Sequence, residues 1–132
     1  MGRRLRYLAD THALIWFMAG SVQLSPMARR ALEDEDATVY ASAASAWEIT
    51  TKHRLGKLPE VDLIAHDIEG ALVGRGFRPL PVSMHHAERA GRLEGPHRDP
   101  FDRMLIAQAL VENLTLVSNE TVFDRFGVSR LW

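Results

Sequence analysis

The sequence contains no cysteine. Disulfides and cysteine-ligated zinc are excluded, and a reducing, cytoplasmic setting is expected. A long apolar run is also missing. The opening MGRRLRYLADTHALIWFMAG starts with charge, and Asp10 and His12 interrupt its apolar stretch. No small-residue cleavage site comes after it, so neither a signal peptide nor a membrane anchor is expected. No repeat, low-complexity run or linker divides the chain. A basic excess is absent too: 16 Lys+Arg face 17 Asp+Glu, giving a net charge of −1. A protein that holds nucleic acid by neutralising phosphates usually carries such an excess. Its absence argues against a dedicated nucleic-acid binder and leaves room for an enzyme that grips its substrate through metal ions. What remains is 132 residues, 46% hydrophobic and 25% charged. That suits one globular domain, 1–132, with a core that needs no staples.

The apolar pattern alternates between short runs and longer helical stretches. Buried strands are expected at 5–9, 37–41 and 114–118, an edge strand at 77–82 where Pro79 and Pro81 interrupt the run, and a last strand at 128–131. Helices are expected at 11–18, after Ser25-Pro26, at 45–55, 61–75, 83–93 and 101–112, with a short one at 120–125. Ser25 and Ser83 read as N-caps, Pro26 as a first helical residue, and Gly56 and Gly76 as stops. Strands alternating with helices predict an α/β fold, with a mostly parallel sheet covered on both faces. Ligands of such sheets bind beyond the carboxyl ends of the strands.

Acids fall at those ends. Asp10 follows the first strand, Glu48 sits among Ala46, Trp47 and Ile49, Asp99 and Asp102 open the 101–112 helix, and Glu120 follows the 114–118 strand. Carboxylates converging on one rim repel and raise each other's pKa. A divalent cation removes that penalty, and an all-oxygen ligand set suits Mg²⁺ or Mn²⁺ better than Zn²⁺. Each acid has a plainer reading. Asp10 is also a good helix cap, Asp99 a turn former before Pro100, Asp102 and Glu120 first-turn acids. Glu48 is harder to set aside, because a carboxylate on an apolar helix face needs a partner.

The segments LADTHALIW (8–16), SAASAWEI (42–49), HRDPFDRMLIAQAL (97–110) and LTLVSNETVFDRFGVSRLW (114–132) together resemble the PIN domain, in its VapC-like toxin branch. The resemblance implies a three-layer α/β/α sandwich, three or four acids holding Mg²⁺ or Mn²⁺, and endonucleolytic cleavage of RNA by metal-activated water. It implies Asp10, Glu48 and Asp102 as the catalytic and metal-binding acids, with Asp99 as an accessory. Glu120 takes the fourth place, where the family usually has Asp. It also implies a cognate antitoxin as partner, seated over the apolar region that includes Ile15, Trp16, Met18 and Leu32, and a homodimer. A membrane partner is not expected.

Thr11 and Ser118 carry hydroxyls beside the acids, fit either to orient a carboxylate or to cap a helix. Arg98 and Arg103 flank Asp99 and Asp102, fit to contact an RNA phosphate or to pair with the acids. Arg3, Arg4 and Arg6 read as a solvated tail, the histidines as mostly structural, and Trp16, Trp47 and Trp132 as core or interface aromatics. A haloacid-dehalogenase-like phosphatase would want an acid at position 12, where His12 stands. A receiver domain would want a late lysine, and the only lysines are Lys52 and Lys57. The remaining alternative is a PIN-like module that binds RNA or protein without cutting.

Overall fold

The computed structural model describes residues 5–132. In chain order it runs β1 (Arg6–Ala9), α1 (Thr11–Ala19), α2 (Pro26–Glu33), β2 (Thr38–Ser42), α3 (Ala43–Arg54), α4 (Ile68–Gly74), β3 (Arg78–Leu80), α5 (Met84–Arg92), α6 (Pro100–Glu112), β4 (Thr115–Val117) and β5 (Arg130–Leu131). Two 3₁₀ segments, Pro59–Val61 and Thr121–Phe126, complete it. Every strand pairing is parallel, in the order β3-β2-β1-β4-β5. From β1 the chain fills one side of the sheet and then the other, so β1 is central and the strand ends around it form a crevice.

Period-two alternation sorts the strand residues onto two cores. Tyr7, Ala9, Val39, Ala41 and Val117 face a core shared with Ala13, Leu14, Phe17, Ala28 and Leu72. Leu8 and Leu116 face the other, with Leu105, Ile106, Ala109 and Phe123. Both faces of the sheet are covered, as the near-continuous apolar strands require. The three-layer α/β/α expectation is met.

Local chemistry sets the helix ends. The Ser25 hydroxyl accepts from Ala28 N at 3.0 Å, with Pro26 next. The Ser83 hydroxyl accepts from His86 N at 3.1 Å, while His86 Nδ1 accepts from Ser83 N at 3.0 Å. That is a capping box with histidine in the place where Glu or Gln is usual. β3 is an edge strand, as its two prolines predict.

Four expectations need correction. The single helix over 61–75 is broken: a 3₁₀ turn ends at Val61, turns follow, and α4 starts afresh at Ile68. Asp67 causes the restart, its side chain accepting from Gly70 N at 3.0 Å. The short helix at 120–125 is 3₁₀ and lies at Thr121–Phe126. Arg6 is no tail residue. It stands in β1, and its guanidinium donates to Glu112 O at 2.8 Å and lies over the Tyr40 ring. Arg3 and Arg4 lie outside the described residues. Ile15 and Leu32 belong to the core rather than to a leftover surface, and Trp16 and Met18 pack against it. No helix among the described residues is long and apolar enough to cross a membrane.

Candidate active site

Asp10 ends the central strand with its side chain buried. Its Oδ1 accepts from Ala13 N at 2.7 Å, so the capping role is real. The same carboxylate lies within the field of His12 and Glu120. Burial pushes its pKa up to about 6, against the opposing pull of the Ser118 hydroxyl, the Ala13 amide and His12, with Glu120 adding to the rise. The Ser118 hydroxyl also accepts from Glu120 N at 3.0 Å, tying the two strand-end acids through one side chain.

Glu48 projects from α3 and is only 3% exposed. Its Oε2 accepts from Lys52 Nζ at 2.6 Å, and its Oε1 is buried without a partner. Asp102 lies in the first turn of α6, where burial raises its pKa to about 6. The His97 imidazole opposes that rise through its Nε2, 2.8 Å from Asp102 Oδ2, while Asp99 and Glu120 reinforce it. Asp99 is the α6 N-cap, its Oδ1 accepting from Phe101 N at 2.9 Å and Asp102 N at 3.2 Å. Glu120 approaches His12, with 3.8 Å between Oε1 and Nδ1.

The five predicted acids therefore act on one region. Asp10 feels Glu120, Asp102 feels Asp99 and Glu120, and Lys52 joins Glu48 to Asp99 and Asp102. The protein's own hydrogen bonds to Glu48, Asp99 and Asp102 each fall on one carboxylate oxygen. Among the described residues no three acidic or imidazole side chains draw together tightly enough to enclose an ion. Lys52 and His97 instead take Glu48 and Asp102 singly. The donor set still fits an oxygen-seeking cation: buried carboxylates, two with raised pKa, and one orphaned oxygen.

The accessory residues divide. The Ser118 hydroxyl lowers the Asp10 pKa and accepts from Glu120 N at 3.0 Å. Thr11 neither caps nor meets a carboxylate; its Oγ1 lies 3.0 Å from Ser45 Oγ and joins α1 to α3. Arg103 is turned away from the acids. Its guanidinium donates to the carbonyls of Ala90, Leu93 and His97, fastening the loop that carries His97. Arg98 is exposed beside that loop. Lys52, Ser45 and Arg130 escaped the sequence reading as parts of the site, and His97, near the site in the sequence and read as structural, pairs with Asp102. Lys52 had a legible signal, the four-residue spacing from Glu48. His97 had its position ahead of two acids. Ser45 and Arg130 had none. Arg130 holds Asp124 with a two-pronged contact of 2.9 and 3.1 Å and Ser118 O at 3.0 Å, bracing the turn that bears Glu120. Trp47, 65% exposed, meets Phe101 edge-on at 5.0 Å beside the acids, so it is a surface aromatic, whereas Trp16 and Trp132 pack together at 5.8 Å.

Comparison with known proteins bears on the fold and the family. The chain is 39% identical over 64 residues to Ribonuclease VapC16 of Mycobacterium tuberculosis, a match spanning 48% of this chain and 44% of that protein, less than half of either. Its fold resembles the crystal structure of VapBC2 from Rickettsia felis bound to a promoter DNA fragment (TM-score 0.70, 18% identity, 97% of this chain and 99% of that one). It also resembles DNA-bound VapBC from Salmonella typhimurium (TM-score 0.68, 19% identity, 96% and 97%). A toxin–antitoxin complex from Klebsiella pneumoniae is a more distant likeness (TM-score 0.52, 17% identity, 87% and 87%). At such identities the structures speak for the fold alone. The PIN domain model, however, matches residues 7–128, from the first strand through every candidate acid, and the chain belongs to the PIN domain family.

Proposed function

We propose that this protein is a metal-dependent endoribonuclease of the VapC toxin type, held in check by a cognate antitoxin. The observation that carries the reading is the set of acids at the strand ends, with Asp10 and Asp102 raised to about 6 and Glu48 Oε1 left without a partner. Such an arrangement is unfavourable unless a cation completes it. The relative from Mycobacterium tuberculosis is named a ribonuclease, which supports the activity, and the likeness to toxin–antitoxin complexes supports the partner.

Asp10, Glu48 and Asp102 would hold Mg²⁺ or Mn²⁺, with Asp99 and Glu120 beside them. Once bound, the cation would lower the pKa of water and stabilise charge on the phosphodiester oxygens. The chain supplies the positioning. The Ala13 amide fixes the Asp10 carboxylate through Oδ1, so its orientation is set before any substrate arrives. His97 holds Asp102 by one oxygen and can take or return a proton at Nε2. Its own loop is fastened by Arg103.

The test is cleavage of total cellular RNA by the purified protein in Mg²⁺ or Mn²⁺, in EDTA, and with Asp10→Ala. Discrete fragments that require both metal and Asp10 are expected. A folded, metal-loaded protein freed of antitoxin that leaves all RNA intact would instead favour a PIN-like module that binds without cutting.

A further inference from the structure

We propose that Lys52 is a built-in counterion of the acid crevice, seated on Glu48 in the absence of a divalent cation and released from it when one binds. The inference rests on the metal-dependent reading above. Its geometric basis is the asymmetry of Glu48. One oxygen lies 2.6 Å from the Lys52 ammonium, and the other is buried with no partner. An ordinary four-residue Glu–Lys pair on a helix has both members in water and contributes little. Here the Glu48 side chain is 4% exposed and that of Lys52 36%. The ammonium reaches inward from the solvent side on a flexible, partly exposed stem.

Lys52 also stands within the field of Asp99 and Asp102, so one positive charge serves three of the acids that would otherwise repel each other. Lysine suits an exchangeable role. Its charge is compact and its four-carbon stem flexible, whereas an arginine fork would lock onto the carboxylate with two parallel bonds. Without Lys52, Glu48 would be a buried charge with no hydrogen bond, a strongly unfavourable state. With Lys52 fixed permanently in place, Glu48 would have only its orphaned oxygen to offer. An exchange resolves both difficulties, and the crevice stays neutralised throughout.

The chain has two lysines, Lys52 and Lys57, so amine labelling with peptide mass mapping reads each one separately. Lys57 is exposed and serves as the internal reference. In EDTA, Lys52 should label severalfold more slowly than Lys57. Saturating Mg²⁺ or Mn²⁺ should bring its rate close to that of Lys57, whose own rate stays constant. Glu48→Gln should give the fast Lys52 rate without any metal. Calorimetric titration with Mn²⁺ on the same preparation reports whether the cation binds. Binding with the Lys52 rate unchanged or slowed overturns the exchange and leaves the metal-dependent reading standing. No binding overturns both. Lys52→Met provides a second check: its Tm in EDTA should fall below wild type and its rise on adding Mg²⁺ should be larger, and an equal rise counts against the exchange.

Discussion

Asp10 does two jobs at once, and a conservative substitution separates them. Asn caps a helix about as well as Asp, so Asp10→Asn keeps the Ala13 contact while removing the charge. RNA cleavage should fall by about 100-fold or more, the scale of losing one group that acts on the transition state. Stability against urea at pH 7.5 should hold or rise, since a buried charge is gone. A drop in stability with cleavage intact would reduce Asp10 to a cap. Asp10 and Asp102 also set a pH dependence. Both have folded pKa values of about 6, above the unfolded value. Between roughly pH 4 and 6 the folded chain therefore holds protons that the unfolded chain has released. Their contribution to stability is full below that window and is lost as pH rises through it. The thermal shift produced by Mg²⁺ should behave oppositely, being large at pH 7.5 and vanishing below about 6 as protons compete for the same oxygens. A melting series in EDTA and in Mg²⁺ across pH 4 to 8, chosen to span roughly two units either side of that value, measures both. The acids were legible in the sequence because four follow a recognisable strand or open a recognisable helix, and Glu48 stands out on an apolar helical stretch. The partner of Asp102 was less so, because His97 meets it only through the course of a loop, whereas Lys52 stands four residues from Glu48.

At the level of elements, the loop between α5 and α6 is held by one side chain. Arg103 donates to three carbonyls, those of Ala90, Leu93 and His97. Charged donors to backbone oxygens contribute more than neutral ones, so Arg103→Ala should destabilise the fold by about 2–3 kcal/mol in urea titrations. Lys should not rescue it, since a point charge cannot span three carbonyls. Normal stability with weakened RNA binding would restore the phosphate role. Sequence reading placed Arg103 beside acids and stopped there, since a neighbour in the chain is not a neighbour in space. The same limit explains the broken helix at 61–75. Its apolar pattern looked continuous, yet Leu63 is 90% exposed, and the Asp67 side chain caps a new start at Ile68 by accepting from Gly70 N. The parallel sheet and its cover on both faces were readable because buried parallel strands carry a near-continuous apolar signature; the strand order was not. Cap competition within a polar stretch leaves a fainter one.

For the molecule as a whole, the site is a product of topology. Asp10 follows β1, Glu48 comes from α3, Asp99 caps α6 and Asp102 lies in its first turn, and Glu120 comes from the turn beyond β4. β1 needs β4 beside it, through the pairs Tyr7–Thr115, Leu8–Leu116 and Ala9–Val117, before Asp10 lies in a crevice. A chain cut after Glu112 should therefore neither bind Mn²⁺ in calorimetry nor cleave RNA, although every candidate acid but Glu120 is present. This dependence has a consequence in time. A ribosome delivers the chain from its amino end, and domains acquire structure as they emerge. The first acid leaves the exit tunnel early, but its crevice closes only when the strand more than a hundred residues later has joined it. If the proposed nuclease activity holds, unfinished copies would thus be harmless to the message and the machinery that produce them, and cutting would wait until that strand is in place.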